Sequence, residues 1–164
     1  MAQPGSVTIE DARIIFRNFA GKEGQFNREG DRNFAVLLEP ELAEAMGQDG
    51  WNIKILKARE EDDEPQPYIQ VSVSFGKGRP PRVVMISSRG RTNLSHDEVE
   101  ILDWADIKKV DLILNPYEWA VSGNTGVKAY LKSLFVTINE DELDLKYADI
   151  DEIPTRSGRV NEGE

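Results

Sequence analysis

The sequence contains no cysteine and a single histidine, His96, among 164 residues. Without cysteine there are no disulfides, thiolate zinc sites, iron–sulfur clusters or cysteine nucleophiles, a composition typical of proteins in a reducing compartment. One imidazole also excludes any metal site that needs several histidines. We therefore expect a protein that carries no cofactor and no bound metal.

Long apolar runs are missing as well. No stretch approaches the roughly 18 residues of a membrane span, and residues 1–5 lack the basic and apolar segments of a secretion signal. We expect no membrane association. Hydrophobic residues make up 39% of the chain, an ordinary share for a globular protein of single-domain length.

Acidic residues outnumber basic ones, 30 to 20, for a net charge of −10. Taken alone, this balance argues against a nucleic-acid partner. The distribution along the chain is uneven, because residues 139–164 carry nine acids and three bases whereas residues 65–96 carry five bases and no acid. We predict a folded domain over residues 1–138 and an acidic, largely disordered tail over residues 139–164.

Apolar residues alternate with polar ones, or form short apolar runs, over much of the first 138 residues, which predicts β-strands. The predicted strands cover residues 7–19, 33–38, 51–57, 68–75, 82–87, 110–121 and 127–138. In the first of these, Phe16 is predicted to share a face with Ala12 and Ile14, and Phe19 to lie on the opposite face. Residues 88–93 are interpreted as a basic loop.

Helical signals are fewer. Pro40 suits a first helical turn, with Leu42, Ala45 and Met46 predicted to face the core. Residues 95–98 (SHDE) match a capping box that would start a short helix, but residues 99–101 also alternate like a strand, and both alternatives stay open.

The strand pattern predicts a mostly β fold. Six or seven short strands, one or two short helices and recurrent Gly/Pro loops are typical of a small antiparallel barrel or sandwich, of which the OB-fold barrel is the leading candidate. The last two strands flank residues 122–126 (SGNTG), which predicts a long β-hairpin arm.

No motif for catalysis is evident. The sequence has no Gly-x-Ser-x-Gly motif that would supply a serine nucleophile for His96 to activate. The glycine pairs at 21–24 and 76–78 lack the spacing of phosphate-binding loops. The acidic runs at 60–64 and 149–152 lack the spacing of a calcium loop. We therefore expect no enzymatic activity, and interpret the acidic runs as solvated charge.

Positive charge interleaved with aromatic rings is the remaining signal. Lys128, Tyr130 and Lys132 alternate with apolar residues, so a strand would place them on one face. Single-stranded nucleic acid needs this pairing, since cations follow the phosphates and rings stack on bases at about 1–3 kcal/mol each. Ordinary solvent-exposed strand residues would give the same pattern, and composition alone does not decide between the two.

The predicted binding site collects the cations and rings of three regions: the first strand with its loop, the acid-free segment, and the last hairpin. Trp51 and Trp104 are predicted to be core residues instead. The DNA-binding candidates are Arg13, Arg17, Phe19, Lys22, Phe26, Arg28, Arg32, Lys77, Arg79, Arg82, Arg89, Arg91, Tyr117, Trp119, Lys128, Tyr130 and Lys132.

Four segments carry a family resemblance: residues 14–19 (IIFRNF), 30–34 (GDRNF), 68–71 (YIQV) and 126–131 (GVKAYL). Together they resemble phage-encoded single-stranded DNA-binding proteins with an OB fold. The resemblance implies sequence-independent binding of single-stranded DNA in phage replication, recombination or repair, in the cytoplasm of the infected bacterial host. It also implies no catalysis and an acidic C-terminus that modulates binding or recruits replication or recombination proteins.

Two rival hypotheses are kept. One is a protein-interaction or virion-structural β domain without nucleic-acid binding. The other is a metal-dependent enzyme of nucleic-acid metabolism that uses the acidic clusters. The sequence does not distinguish DNA from RNA, because no recognisable contact to a 2′-hydroxyl is present. It also leaves open self-association, site size, cooperativity and the partner of the tail.

Overall fold

The computed structural model describes residues 5–25, 27–56, 64–76 and 79–140. The candidate residues Phe26 and Lys77, and the predicted tail from residue 141 onward, lie outside these ranges. The elements in chain order are β1 (Val7–Asn18), β2 (Arg32–Leu37), α1 (Pro40–Gln48), β3 (Ile53–Leu56), β4 (Gln66–Val73), β5 (Arg82–Ser87), β6 (Gly90–Asn93), a 3-10 helix (Val99–Asp103), β7 (Ile107–Val121) and β8 (Asn124–Ile138).

Five strands close into a barrel. Going round it, β1 pairs with β2, β2 with β4, β4 with β8, β8 with β7, and β7 with β1 again. All of these pairings are antiparallel except β4–β8, a short parallel contact in which Val71 pairs with Ala129 and Ser72 with Tyr130. The prediction of a mostly β, OB-like barrel is confirmed.

The barrel carries two additions. Strand β3 pairs with the first half of β4, and the β5–β6 hairpin continues the sheet beyond the second half of β8. Residues 88–93 were expected to be a loop, and that expectation is wrong, because Gly90 to Asn93 pair with β5. The turn is tight since Gly90 adopts a φ of 122°, which a residue with a Cβ rarely does.

Alternate residues of the central strands fill the interior. In β4 the buried residues are Ile69, Val71 and Val73, and in β8 they begin with Val127 and Ala129. This two-residue period confirms the faces predicted for both strands, and leaves their polar residues on the outer wall.

The faces predicted for β1 are wrong near its end. Phe16 is 62% exposed and Phe19 is fully buried. The backbone of Phe16 has a φ of 52°, and the pairing with β2 slips between Ile15 and Asn18. Such a bulge breaks the alternation, so residues beyond it exchange faces.

Helix α1 packs against β3 and β4. Ala43 and Met46 are its buried residues, whereas Ala45, which was predicted to face the core, is exposed. Trp51 is buried as predicted, but Trp104 is 72% exposed and the core prediction for it is wrong. Among the described residues, no helix has the length and apolarity to cross a bilayer.

A 3-10 helix over Val99–Asp103 follows residues 95–98, which resolves the alternative left open by the sequence. The Glu98 carboxylate accepts hydrogen bonds from the Ser95 amide at 2.9 Å and from the Ser95 hydroxyl at 3.0 Å. Both bonds stabilise the ionised carboxylate and so lower the pKa of Glu98 below 4.5, and the bond from the backbone amide has the larger effect.

Candidate nucleic-acid interface

A cleft of about 970 Å³ opens on the outer wall of the barrel, where β4 meets β8. One wall is the end of the loop between β1 and β2, and the other is the far half of the β7–β8 hairpin. Its lining includes the three cations Arg28, Arg32 and Lys128, and the rings of Trp119, Tyr130, Phe75 and His96.

Strand register builds the floor of this cleft. Asn33 pairs with Ser72, Ser72 with Tyr130, and Tyr130 with Asn115. Directly paired residues project to the same side of a sheet, so these four side chains form one row across β2, β4, β8 and β7. Asn33, Ser72 and Tyr130 of this row line the cleft, so this part of the floor is polar apart from the Tyr130 ring.

A second row runs parallel to the first. Lys128 pairs with Tyr117, and Gln70 lies one residue before the Val71–Ala129 pair on the neighbouring strand. The ring centroids of Tyr117 and Tyr130 are 5.7 Å apart, and the Lys128 Nζ lies 5.2 Å from the Tyr130 centroid. Rings and cation thus alternate on one face of the hairpin.

The tip of the hairpin is a two-residue turn. Ser122 and Gly123 have φ values of 51° and 85°, and Val121 pairs with Asn124. Two consecutive positive φ angles are characteristic of a type I′ turn, whose twist matches that of the flanking strands. The predicted hairpin arm is confirmed, with a shorter connection than its sequence indicated.

The loop wall is held by its own side chains. The Asn27 side-chain amide donates to the carbonyl oxygens of Lys22, Arg28 and Asp31. Arg32 Nη1 donates to the Phe19 carbonyl at 2.6 Å. These bonds fold the loop back on itself, so its polar residues face the cleft in a set arrangement.

Asp103 fixes the start of the same loop from the 3-10 helix. Its carboxylate accepts from the amides of Phe19 at 2.7 Å and Ala20 at 3.1 Å. Arg17 Nη1 donates to the carbonyls of Leu102 and Ala105, both at 2.8 Å. Arg17 therefore has a structural role here and lies outside the cleft lining.

The cleft concentrates positive charge in an acidic protein. Within the described ranges, Asp31 is the one carboxylate in its lining, and it pairs with Arg28 at 3.5 Å. In that same part of the chain, no ion pair involves Arg32 or Lys128. The side chain of Arg28 is 91% exposed, so its charge is available to a ligand.

Several predicted site residues lie elsewhere. Phe19 is in the core, 5.1 Å from the Phe34 centroid, so it offers no face to a base. Lys22 contacts the Trp104 ring at 4.6 Å, and Arg82 lies 5.5 Å from the Phe135 ring. The remaining described candidates outside the cleft lining are Arg13, Arg79, Arg89, Arg91, Tyr117 and Lys132, of which Tyr117 contacts Tyr130.

Some lining residues were missed. Asn33, Asn52, Gln70 and Ser72 are among them; the polar alternation of β4 was a signal for the last two. His96 was interpreted as an exposed loop residue and is exposed, beside Asp97 at 3.0 Å, but it also lines the cleft.

No group of three or more metal-ligating side chains occurs within the described ranges. The acidic residues 60–63 and 149–152 fall outside those ranges. The part of the chain that carries the cleft therefore presents hydrogen-bonding groups, cations and rings.

Comparison with known proteins gives one family and several similar folds. The family model described as "Putative phage ssDNA-binding domain" matches residues 2–162. No curated protein matches the sequence. The single-stranded DNA-binding protein from bacteriophage Enc34 in complex with ssDNA has a TM-score of 0.53 at 13% identity, over 84% of this chain and 88% of that one. Another structure of the Enc34 protein has a TM-score of 0.52 at 14% identity, over 96% of this chain and 87% of that one.

Proposed function

The chain belongs to the phage ssDNA-binding domain family, and from this premise we propose that its cleft binds single-stranded DNA without sequence preference. The observation that carries the proposal is the convergence of Arg28, Arg32 and Lys128 with Trp119 and Tyr130 around one cleft. The Enc34 protein, of similar fold, forms a complex with ssDNA. The face and loops that line this cleft are those with which OB folds bind oligonucleotides.

Stacking supplies the sequence-tolerant part of the affinity, since every base has a π-face. Tyr130 is half-buried in the cleft floor, and the partly exposed Trp119 lies on the same face of the hairpin. A base on each ring leaves the intervening phosphates near Lys128, whose Nζ is within 5.2 Å of the Tyr130 centroid.

Charge supplies the part that depends on salt. Arg28 and Lys128 stand on opposite walls of the cleft, so a strand lying between them has a cation on either side. The polar floor residues Gln70 and Ser72 each carry both donor and acceptor groups. Such groups accept any base edge, which fits binding without sequence preference.

The acidic tail is proposed to compete with DNA for this cleft, and to recruit replication or recombination proteins. The backbone N–H of Asn139 donates a hydrogen bond to the Asp106 carbonyl oxygen at 2.7 Å. The Glu140 carboxylate accepts a hydrogen bond from the backbone N–H of Ser88 at 3.2 Å. The chain thus leaves the body beside the β5–β6 hairpin. A tethered polyanion reaches effective concentrations of about the millimolar range, enough to oppose weak non-specific binding.

The corresponding role is non-catalytic protection of single strands during phage replication, recombination or repair, in the cytoplasm of the infected host. A protein-interaction or virion-structural role is the alternative. It predicts no affinity for single strands.

Tryptophan fluorescence tests the function. Adding poly-dT is expected to quench wild-type emission strongly and duplex DNA weakly. Trp119→Phe should lose most of the quenching, whereas Trp104→Phe, which removes an exposed indole outside the cleft, should keep it. An absence of any response to poly-dT contradicts the proposal.

The two remaining parts have separate tests. Tyr130→Ala should weaken binding about tenfold, as one lost stacking contact would, while the protein remains folded. Deleting residues 141–164 keeps the Glu140 contact and should tighten binding at low salt. Equal affinities for ssDNA with and without the tail would show that the tail does not compete with DNA and only keeps the protein soluble.

A further inference from the structure

A pair of aromatic rings lies on the barrel wall outside the cleft. The ring centroids of Phe16 and Tyr68 are 6.2 Å apart with an interplanar angle of 74°. Phe16 is 62% exposed, although a ring of that size would be expected in the core. Its φ of 52° is an unfavourable conformation for a residue with a Cβ, and such positions are enriched at functional sites.

Register explains how the two rings meet. Phe16 belongs to β1 and Tyr68 to β4, with β2 between them. Ala35 pairs with Ile15 on one side and with Gln70 on the other. It shares the outer face with Gln70 but is only 2% exposed. A methyl group at this position leaves room for the two rings to approach each other across β2.

Cations flank this pair of rings. Lys54 is directly paired with Tyr68, and Arg13 is paired with Leu37, which is itself paired with Tyr68. In the part of the chain that the structure describes, neither cation belongs to an ion pair. Both charges are thus available beside the rings.

The rings are continuous with the cleft. Lys54 Nζ lies 3.4 Å from the Gln70 side-chain oxygen, and Gln70 lines the cleft. Tyr68 and Ser72 are on the same face of β4, four residues or about 13 Å apart at the rise of a strand. At most about four stacked nucleotides, at 3.4 Å each, cover that distance.

We propose that Phe16 and Tyr68 form a second stacking platform for the same DNA strand, reached over Gln70 and Lys54. This inference rests on the proposed function of the cleft. Flanking cations and continuity with the cleft favour a nucleic acid over a protein partner, since cations beside stacking rings are the combination that single strands require. A strand long enough to reach the platform then binds more tightly than one confined to the cleft.

Phe16→Asn is the informative variant, because asparagine tolerates the left-handed conformation and the fold should be retained or stabilised. Affinities are measured for oligo-dT of about four and about sixteen nucleotides, the two ends of the range of OB-fold site sizes. Phe16→Asn and Tyr68→Leu should each weaken binding of the long oligonucleotide about five- to tenfold, and leave the short one unchanged. Trp104→Ala, which removes another exposed ring, is the control and should change neither affinity.

Three results overturn the platform. The first is wild-type affinity of Phe16→Asn for the long oligonucleotide. The second is an equal loss in Trp104→Ala. The third is a wild-type dimer in light scattering that Phe16→Asn converts to a monomer, which would assign the rings to a second copy of the chain. Failure of the wild type to bind either oligonucleotide would instead contradict the function of the cleft itself.

Discussion

Trp119 lies across Gly126 on the neighbouring strand, so closely that a Cβ at position 126 would stand 2.7 Å from the indole. The two residues are directly paired in the β7–β8 hairpin. The missing side chain is therefore what allows this ring to lie against the sheet at the edge of the cleft. A glycine in a strand often marks such a close approach.

Gly126→Ala is expected to displace the Trp119 ring and to weaken ssDNA binding about tenfold, in line with the loss of one stacking contact. Fluorescence titration with oligo-dT measures the effect. Gly47→Ala is the matched control, since the nearest atom to its added Cβ is 3.9 Å away, on Ile53. Unchanged binding by Gly126→Ala would show that the position of the indole does not matter.

Lys128→Gln is expected to flatten the salt dependence of binding. Each phosphate that a cation neutralises contributes about −0.7 to the slope of log K against log salt for a single strand, so the slope should fall in magnitude by about that amount. Lys109→Gln removes a cation that is 3.8 Å from Asp111, near the opposite end of the hairpin, and should leave the slope alone. Parallel salt titrations of both variants decide the matter.

Asp103→Ala is expected to lower the free energy of unfolding by about 2 kcal/mol, because hydrogen bonds to charged groups contribute roughly 1.5–3 kcal/mol and two backbone amides lose their acceptor. The loop wall of the cleft should loosen, and ssDNA affinity should fall with it. Urea denaturation measures the first effect. Asp97→Ala, which removes a carboxylate 80% exposed to solvent, should be nearly neutral; equal stabilities of the two variants would refute the anchoring role.

Glu98 makes a small part of the stability depend on pH. Its pKa is lowered in the folded state by the hydrogen bonds from Ser95. A lowered pKa adds stability above the unfolded-state value, and this stability is lost as the pH falls through the folded-state value. The stability difference between wild type and Glu98→Gln should therefore be present at pH 7 and shrink below 4.5. Urea midpoints at pH 7 and about pH 3 test this, with Glu100→Gln, two residues further along in the 3-10 helix, as the control. A stability difference that does not change with pH would be evidence against the effect.

The central strands of the fold were predictable because burial on one side imposes a two-residue period. β4 follows it, and β8 follows it from Val127 to Leu131, after which a register shift moves the buried positions to Leu134 and Val136. The end of β1 could not be predicted in this way, since the positive φ angles of Asp11 and Phe16 introduce bulges that no residue type announces. A phenylalanine in that conformation is rare, so pattern analysis placed Phe16 and Phe19 on the wrong sides.

The part of the site that lies within a single strand could be predicted from the sequence. Lys128 and Tyr130 followed from alternation within one strand, and both line the cleft. Asn33 and Gln70 come beside them only through pairings between distant strands, which a single sequence does not reveal. The cations of the β5–β6 hairpin were included on local charge alone, and charge density along a chain does not say which wall of a barrel a residue occupies.

The parallel seam between β4 and β8 has a consequence for biosynthesis. It joins residues 58 positions apart, Val71 with Ala129 and Ser72 with Tyr130, and it brings the cleft floor together. In a ribosome-bound chain from which β8 has not yet emerged, the basic loop between β1 and β2 has no ring from β8 opposite it. The ability to bind a polynucleotide should therefore arise in one step, once that strand has emerged, and shorter nascent chains should not bind the messenger RNA that is being translated.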